Sequence, residues 1–442
     1  MHRFFVTPAP PFRFSPRLYA KLIDAEPDYA LFDCVDADFF DAELWRAEGR
    51  LTAERWGEAL DRGLVFAVEV NPGGDAGAAA ETWLKENPTE SLPDWSELSL
   101  TLSPEGPAEV YDNIAGTPER ATLEVKAVRR ETARALTRAA DLQQDVKADQ
   151  DIEAALPSQV IEQIFVLDVG QGAANALVDP AGDVVGYVDL GAGILKNTGT
   201  WPTSPMTICL AAAQTIVLTH WHYDHFQAAN KFPLAQNRTW IAPLQALGAG
   251  PQSTMAHALR AAGGLKVWAG AAGATLRHGA IEIERCGGTG SQNRDGIAVW
   301  VHGPQGQDPF LLPGDAGYSD VASLAGRSIA GLTVAHHGGR AAGSPPGKPT
   351  TGAPLAFSYG NKNSHHHPLA ASITGLTSAR PAWTIGSPGV PVDERRTEDR
   401  RTTATGPVST VGAGLGHIRL DWAGGTSPAH SCTCGCTLDP TQ

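Results

Sequence analysis

The sequence predicts a chain of two domains, in which a mixed α+β first part precedes a layered α/β second part. Its 442 residues are too many for one ordinary hydrophobic core, so two domains are the first expectation. Residues 1–158 contain 30 Asp and Glu against 16 Lys and Arg, whereas the remaining 284 residues contain 18 of each sign. Histidine divides the other way, because 13 of the 14 histidines follow residue 158. We therefore expect domains at 1–157 and 158–425, a flexible tail at 426–442, and the chemistry in the second domain.

The first domain contains patterns of both helices and strands. "DAELWRAEGR" and "TAERWGEALDRG" have the apolar spacing of short helices, and "LVFAVEV" and "ELSLTLS" alternate like strands. A strand near 121–128 and a polar connector helix at about 130–155 are expected to follow. No motif with a recognisable chemistry occurs in this domain, so we interpret it as a scaffold or a protein-binding domain.

The second domain alternates short apolar strands, glycine turns and a few helices. Strands are predicted in "QIFVLDVGQG", "NALVDPAGDVVGYVDLGAG", "QTIVLTH", "IAVWVHG", "FLLPGDAG", "LTVAHHGG" and "LAFSYGN". Helices are predicted in "MAHALRAAGG" and "PLAASITGLTSA", and exposed loops at 338–354 and 387–407. This alternation predicts a layered α/β domain whose sheets are covered on both sides.

Composition argues against several classes of protein. No run of about 18 apolar residues occurs, and prolines interrupt the N-terminus before the apolar core of a signal peptide could form. We therefore expect a soluble, unexported protein without membrane contact. The six cysteines lack the spacing of a disulfide-stapled secreted fold, which favours a reducing cytoplasm. For the CxCxC tail, a metal site and a disordered thiol segment both stay open; its residues are Cys432, Cys434 and Cys436. The acidic composition of the first domain argues against nucleic-acid binding by that domain.

The strongest chemical signal is "LTHWHYDH", which overlaps the end of a predicted buried strand. Residues two apart in an extended chain point to the same side, so His220 and His222 can bind one metal together. Asp224 and His225 lie just beyond, where the chain turns, and can bind a second metal nearby. Chance would place HxHxDH in a chain this long with a probability on the order of one in a thousand. The motif therefore indicates a metal centre.

This motif and three others, in the same order, resemble the metallo-β-lactamase fold, a family of metal-dependent hydrolases. The other three are "YVDLG", "LLPGDAG" and "VAHHGG". The resemblance implies a four-layer αββα sandwich, with Asp189 at the end of an early strand and Asp315 as the carboxylate that bridges two metals. It also implies a late histidine ligand to the second metal, which would be His336, with His337 as the alternative.

A narrower resemblance, over roughly residues 160–420, is to the soluble hydrolase domain of ComEC-type competence proteins. "LDVGQGAANALV", "AHHGG" and "SYGNKNSHHHP" are similar to the DVGQGDA, HHGS and SxGxxNxxxHP patterns of that family. The residues that match the last pattern are Ser358, Gly360, Asn363, His367 and Pro368. The sequence has Ala173 where the family has an aspartate, and Gly339 where the family has a serine. It also departs from the family in the segment Phe226-Gln227-Ala228. These departures bear on the substrate more than on the metals.

Many members of this fold give the first metal a third histidine, between the HxHxDH and GD motifs. Three histidines lie in that interval: His257, His278 and His302. The candidate is His278, in "LRHGA". The alternative is that His278 is an ordinary surface histidine in a turn. Because none of the three lies in a motif that we recognise, we expect the first metal to be bound more weakly than the second.

The implied ligands are imidazoles and carboxylates without cysteine, which suits two divalent metal ions, Zn²⁺ or Mn²⁺. A water held between two such ions loses its proton near neutral pH and becomes the nucleophile. Asp315 is expected to hold both ions and Asp224 the second. Ser358, Asn363 and His367 are expected to bind the substrate's oxygens or to protonate the leaving group, with His367 as the general acid.

Three functions are consistent with these patterns. The resemblance to competence proteins favours a dinuclear phosphodiesterase that acts on nucleic acid or on a nucleotide. A second hypothesis in the same fold is hydrolysis of a small ester, thioester or lactam. In a different class, residues 1–157 would bind a partner protein and regulate the hydrolase domain as an effector. The neutral second domain offers little positive surface for a nucleic-acid duplex.

Overall fold

The computed structural model describes residues 1–73, 75–201, 208–350, 353–360, 363–383, 385, 394–396 and 417–422. Within them the chain is a mixed α/β protein that divides into two compact units. Unit 1 consists of residues 1–145, 194–196 and 244–263. Unit 2 consists of residues 146–193, 197–243 and the described residues from 264 onward.

The strands and α-helices of these residues are numbered in chain order. The strands are β1 Arg17–Glu26, β2 Tyr29–Asp36, β3 Val65–Val70, β4 Trp95–Leu102, β5 Ala108–Tyr111, β6 Glu119–Ala127, β7 Gln163–Val166, β8 Ala174–Val178, β9 Val184–Leu190, β10 Thr215–Val217, β11 Thr239–Pro243, β12 Leu265–Trp268, β13 Thr275–His278, β14 Ile281–Arg285, β15 Ile297–Val301, β16 Phe310–Leu312, β17 Gly331–Thr333, β18 Leu355–Phe357, β19 Glu394–Arg396 and β20 Ile418–Asp421. The helices are α1 Ala37–Arg46, α2 Ala53–Leu60, α3 Gly77–Glu86, α4 Arg130–Ala139, α5 Asp149–Glu153, α6 Ala228–Lys231, α7 Pro251–Ala261 and α8 Ala370–Ser378.

The strands of unit 1 form a closed barrel in the order β1-β2-β3-β5-β6-β4. β1 pairs antiparallel with β2 on one side and with β4 on the other, and this second pairing closes the barrel. Apolar side chains of the strands and of α3 share one core, which includes Phe32, Val68, Leu98 and Trp83. Within the described residues, closure leaves this sheet without an unpaired edge strand.

The segment 244–263 is held within unit 1 by a buried carboxylate at the start of α7. Asp33 on β2 accepts hydrogen bonds from the backbone amides of Gly250 (2.7 Å) and Gln252 (2.8 Å). Such first-turn amides have no carbonyl partner inside their own helix, and a negative charge beside them is favourable. These residues pack in unit 1, although the predicted second domain includes them.

Sequence patterns found several elements of unit 1 and missed others. The two predicted helices correspond to α1 and α2, and the predicted strands correspond to β3, β4 and β6. β1 and β2 were not predicted, although "RLYAKLID" alternates. The single helix predicted at about 130–155 is wrong, because the chain forms two helices there, α4 and α5. Between them Asp145 accepts a hydrogen bond from Arg260 at 3.0 Å, and Val146 forms a β-bridge with Val267.

Unit 2 contains two mixed sheets. Their described strands have the orders β12-β11-β10-β9-β8-β7-β20 and β13-β14-β15-β16-β17-β18-β19. In the first sheet β9 to β12 are parallel, and in the second β16 to β19 are parallel. The sheets share one apolar core, to which the first contributes Val188 and Val217 and the second Ile283 and Val299. Two sheets packed face to face in this way bury the inner side of each.

An interior strand of the second sheet, β15, is buried on both faces. All five residues of β15 are buried. Val299 lies in the core between the sheets, whereas the adjacent Trp300 lies in a separate apolar cluster with Leu376 of α8. Neighbouring residues of a strand point to opposite faces, so a strand buried on both sides has an unbroken apolar sequence. Both faces of β15 are therefore buried, each by a different apolar cluster.

All seven strand segments predicted for unit 2 contain a strand, and together they account for β7 to β10 and β15 to β18. The two predicted helices correspond to α7 and α8. Strands β11 to β14, β19 and β20 were not predicted, and β19 lies within the segment 387–407 that was predicted as a loop. Apart from 394–396, the predicted loop at 387–407 lies outside the described residues, as does the tail 426–442 with its three cysteines.

Two further findings concern cysteines and membranes. Cys34 and Cys286 are free and buried, whereas Cys209 is disulfide-bonded, which the expectation of a reducing compartment did not include. In the part of the chain that the structure describes, no helix has the length and apolar character needed to span a bilayer.

Candidate metal centre

Segments that follow strands of unit 2 bring the predicted ligands into one pocket. Asp189 lies near the end of β9, and the HxHxDH segment follows β10, which is parallel to β9. In the other sheet Asp315 follows β16, and the two histidines of "VAHHGG" follow the parallel strand β17. The carboxyl ends of neighbouring parallel strands lie at one edge of a sheet, so both sheets present polar residues at an edge.

The ligand atoms form two groups, and within each group all atoms lie within 4.8 Å of one another. The first group consists of His220, His222 and Asp315. The second group consists of Asp224, His225 and His337. Every member except Asp224 is buried. Each group therefore offers nitrogen and carboxylate oxygen atoms at the spacing that one cation requires.

Asp315 lies between the two groups. Its Oδ2 is 3.6 Å from Nε2 of His220 in the first group, and its Oδ1 is 3.2 Å from Nε2 of His225 in the second. Nε2 of His337 is 3.5 Å from Oδ1 of Asp315 and 3.2 Å from Oδ2 of Asp224. Nε2 of His336 is 3.7 Å from Oδ2 of Asp315, on the side that His220 approaches. One carboxylate thus presents a different oxygen to each group.

Several of the inward atoms are unsatisfied. Among the described residues, four buried ligand atoms have no hydrogen-bond partner: Nε2 of His220, Nε2 of His225, Nε2 of His337 and Oδ1 of Asp315. Buried polar atoms without a partner are rare because each one loses its hydration on folding without compensation. Four such atoms lie within a few ångströms of one another, which fits a site that binds cations.

The outward nitrogens of the same rings are all satisfied. Nδ1 of His225 donates to Oδ2 of Asp189 at 2.8 Å, and Nδ1 of His337 donates to the backbone carbonyl of Ser358 at 2.7 Å. Because a carbonyl or carboxylate can only accept, the single proton of each neutral ring lies on Nδ1, and Nε2 then keeps a lone pair. Such partners orient metal-binding imidazoles and raise their basicity. The histidine rings are therefore already in the tautomer that binds a metal.

Asp189 also holds the ligand loop itself. Its Oδ1 accepts from the backbone amide of Thr219 at 2.7 Å, and its Oδ2 accepts from the Thr219 hydroxyl at 2.9 Å. Thr219 was not predicted as part of the site, although it directly precedes His220 in the sequence. The backbone φ of Asp189 is 59°, and the φ angles of His336 and His337 are 52° and 54°. Non-glycine residues adopt such angles at a cost, and these three all border the pocket.

Burial and neighbouring charges shift the pKa values of the histidines and carboxyl groups in the pocket. Burial lowers the pKa of His220 well below its usual value, and the neighbouring His225 and His222 act in the same direction. Burial would also lower the pKa of His225, but three surrounding carboxylates raise it well above its usual value. Burial would raise the pKa of Asp315, yet His225 and the other imidazoles hold it well below its usual value. Asp315 is thus held in its ionised form, which attracts cations.

The three histidines considered as a third ligand of the first metal lie elsewhere. Nδ1 of His278 is 3.0 Å from the carbonyl oxygen of Glu153, and Nε2 of His302 is 2.7 Å from Oε2 of Glu282. His257 belongs to α7 of unit 1. None of them is a member of either ligand group among the described residues.

Ser358 and Asn363 use their side chains for hydrogen bonds to the backbone. The Ser358 hydroxyl donates to the carbonyl of Gly172 at 2.6 Å. The Asn363 amide donates to the carbonyls of Gly360 (2.8 Å) and His367 (2.9 Å), and its oxygen accepts from the amide of His367 at 2.9 Å. These contacts shape the loop that carries His367, and they occupy the groups that were expected to meet the substrate.

His367 itself lies beside the ligand histidines. Its ring centroid is 5.4 Å from that of His336 and 6.3 Å from that of His337. Burial lowers the pKa of His367 well below its usual value, and the nearby His336 and His365 add to this effect. The ring is therefore neutral at physiological pH.

No family model matches the sequence, and no curated protein matches it. Among solved structures the chain is similar to a metallo-β-lactamase of Cronobacter sakazakii with a HARLDQ motif, at 11% identity and a TM-score of 0.25, over 38% of this chain and 76% of that one. It is also similar to the metallo-β-lactamase fold protein YhfI of Bacillus subtilis, at 14% identity and a TM-score of 0.26, over 39% and 70% of the two chains. A third similar structure is BJP-1, a subclass B3 metallo-β-lactamase of Bradyrhizobium japonicum, at 14% identity and a TM-score of 0.24, over 40% and 77%.

Proposed function

We propose that the chain is a dinuclear metal-dependent hydrolase of the metallo-β-lactamase fold that cleaves a phosphodiester in nucleic acid or in a nucleotide. The observation that carries the proposal is the pair of ligand groups, each within 4.8 Å, in which four inward atoms of His220, His225, His337 and Asp315 are buried and unsatisfied. The four ordered motifs support the fold, and the similarity of the flanking segments to ComEC-type hydrolase domains supports the phosphodiester.

The residues present fit two divalent cations. His220, His222 and Asp315 would hold the first ion, and His336 would support it from the side of the Asp315 Oδ2 atom. The second ion would be held by Asp224, His225 and His337. Imidazole and carboxylate ligands suit Zn²⁺ and Mn²⁺ alike. When bound, such ions would supply a water nucleophile at neutral pH and polarise an oxygen of the substrate.

The protein's own groups would fix the geometry of this chemistry. Asp315 faces both ligand groups with different oxygens, so it would set their separation. Asp189 and the carbonyl of Ser358 hold the rings of His225 and His337 in the lone-pair-inward tautomer. Preorganised ligands of this kind lose little entropy when the ions and the substrate bind.

A phosphodiester carries one negative charge, which suits a pocket containing two cations. With both ions bound, their four positive charges exceed the two negative charges of Asp224 and Asp315, so an anionic substrate would be attracted. The neutral composition of residues 159–442 makes this local charge, rather than a basic surface, the source of attraction. A small nucleotide or a single strand would need less positive surface than a duplex.

The test combines metal analysis with hydrolysis assays on the full-length protein. We expect close to two equivalents of Zn²⁺ or Mn²⁺ and hydrolysis of bis(p-nitrophenyl) phosphate, with a lactam and a thioester as parallel substrates. His222→Ala and Asp315→Asn should lower both metal content and turnover, whereas the matched surface change His278→Ala should alter neither. Fewer than one equivalent of metal in the wild type would contradict the proposal, and preferential hydrolysis of the lactam or thioester would reject the phosphodiester.

A further inference from the structure

The histidines around the pocket do not all present the same group to it. In the ligand rings of His225 and His337, Nδ1 faces an acceptor, so the proton lies on Nδ1 and Nε2 keeps its lone pair. The partner of Nδ1 therefore decides whether Nε2 can bind a metal. His367, which adjoins the same cluster, has a different type of partner.

Nδ1 of His367 is 3.2 Å from Nε2 of Gln171, a buried residue 196 positions away in the chain. The orientation of this amide is set at its other end, where the backbone amide of Gly360 donates to Oε1 of Gln171 at 3.3 Å. Because a backbone N–H can only donate, the amide oxygen must face Gly360 and the NH₂ group must face His367. The backbone of Gln171 is anchored as well, since its N–H donates to the Thr200 hydroxyl at 2.8 Å.

An amide NH₂ group can only donate, so Nδ1 of His367 accepts and the ring proton lies on Nε2. Among the described residues, Nε2 of His367 makes no hydrogen bond, which leaves its N–H available to a ligand. This is the reverse of the arrangement in the metal-binding rings. A ring with Nε2–H cannot coordinate a cation through that atom.

The position of this N–H depends on Gly339. A methyl group added at Gly339 would lie 2.7 Å from Nε2 of His367, closer than real contacts allow. A side chain at this place would therefore require the His367 ring to shift. The absence of a side chain at Gly339 thus leaves room for His367 beside His336, with ring centroids 5.4 Å apart.

We propose that Gln171 fixes the Nε2–H tautomer of His367 and so makes His367 a neutral hydrogen-bond donor to an anionic oxygen of the substrate. The role toward substrate rests on the proposed hydrolase function, whereas the tautomer does not. Transfer of the Nε2 proton would leave an imidazolate, so the proton stays on the ring and no bond is broken there. The hydrogen bond would strengthen as negative charge grows on the oxygen in the transition state. Gln171 is a positioning residue in this scheme. The proposed role of His367 is that of a hydrogen-bond donor, in place of the general acid expected from the sequence.

The tautomer can be read directly by NMR on the full chain, loaded with Zn²⁺ and labelled with ¹⁵N in the histidine rings. Long-range proton–nitrogen correlations distinguish a protonated ring nitrogen from an unprotonated one, and comparison with His367→Asn assigns the signal. We expect His367 to have protonated Nε2 and unprotonated Nδ1 in the wild type. In Gln171→Glu the carboxylate can only accept, so Nδ1 should become protonated. The exposed change Gln307→Glu adds the same charge and should leave the pattern unchanged.

Two results would overturn the tautomer assignment: a protonated Nδ1 in the wild type, or an unprotonated Nδ1 in folded Gln171→Glu. If Gln171→Glu does not fold, Gln171→Met serves instead, because a side chain that neither donates nor accepts should leave a mixture of the two tautomers. A single unchanged tautomer in Gln171→Met would also contradict the role of Gln171.

Kinetics then tests the role toward substrate. With bis(p-nitrophenyl) phosphate we expect Gln171→Glu to lower kcat by about 100-fold, with metal content unchanged and KM within about threefold. If the wild type hydrolyses the diester and Gln171→Glu retains its kcat, the donor role is wrong while the proposed function stands. If the wild type does not hydrolyse it, the proposed function fails, and the NMR result still decides the tautomer.

Discussion

Replacing Asp189 by asparagine should weaken metal binding without removing any ligand. The carboxylate accepts hydrogen bonds from the Thr219 amide at 2.7 Å, the Thr219 hydroxyl at 2.9 Å and Nδ1 of His225 at 2.8 Å. Asparagine has one oxygen and one NH₂ group, so it cannot accept at both ends. If its oxygen keeps the Thr219 amide, its NH₂ group faces Nδ1 of His225 and drives the ring proton to Nε2, the metal-binding atom. In the opposite orientation, the NH₂ group faces the Thr219 amide and displaces the ligand loop.

The expected loss can be bounded. Removing the partner of a metal-binding histidine typically lowers metal affinity by about 10- to 100-fold, which corresponds to about 1.4 to 2.7 kcal/mol. Because His225 belongs to the second ligand group, the weakening should be confined mainly to one of the two binding steps. A titration of Zn²⁺ against a competing chelator would separate these steps.

The matched control is Asp308→Asn, which removes the same charge at an exposed position. It should leave both binding steps unchanged. Asp189→Asn with wild-type affinity at both steps, and with intact fold by circular dichroism, would show that the tautomer of His225 does not limit metal binding. The reasoning from Nδ1 partners to metal affinity would then be refuted.

Two further predictions concern a buried carboxyl group and a crowded glycine. Burial and the neighbouring Glu109 carboxylate raise the pKa of Glu69 from 4.5 to about 7, so the folded chain binds this proton more tightly than the unfolded chain. As pH rises from 4.5 through 7, the free energy of unfolding should therefore fall by about 3 kcal/mol in the wild type relative to Glu69→Gln, as measured by urea titration at each pH. A methyl group at Gly191 would lie 1.6 Å from the carbonyl oxygen of Asp224, so Gly191→Ala should shift the ligand loop and lower both Zn²⁺ affinity and the unfolding temperature. Gly199→Ala is its control, because nothing lies within 4 Å of the added methyl group, and equal effects of the two changes would contradict the steric argument.

Local sequence was sufficient to predict the ligand segments because their geometry is local. In "LTHWHYDH" the chain leaves a strand, so His220 and His222 share a side by the alternation of extended backbone. The same holds for Asp315, which follows a short apolar strand within three residues. Such positions depend on the chain only a few residues away, and the seven predicted strand segments of unit 2 all contain strands.

The surroundings of these ligands could not be predicted in the same way, because they depend on pairing between distant segments. The contact between Gln171 and His367 spans 196 residues. The barrel of unit 1 closes through pairing of β1 with β4, which no local pattern specifies. His302 lies on a short loop after β15, and its ring meets Glu282 on the neighbouring strand β14, which depends on the register between the strands.

The adjacent pair His336 and His337 shows what a local motif can predict and what depends on contacts between distant segments. The sequence predicted one late histidine ligand, His336, with His337 as the alternative. A motif alone does not distinguish two adjacent histidines. In the structure both have left-handed backbone angles, and the rings approach different oxygens of Asp315: Nε2 of His336 is 3.7 Å from Oδ2, and Nε2 of His337 is 3.5 Å from Oδ1. Each ring's Nδ1 faces a backbone carbonyl, that of Arg340 for His336 and that of Ser358 for His337. Both rings therefore present a lone pair, and what distinguishes them is the side of Asp315 on which the backbone places each one. That placement follows from the turn after β17 and from the contact of the His337 ring with the distant Ser358 carbonyl, neither of which a local motif specifies.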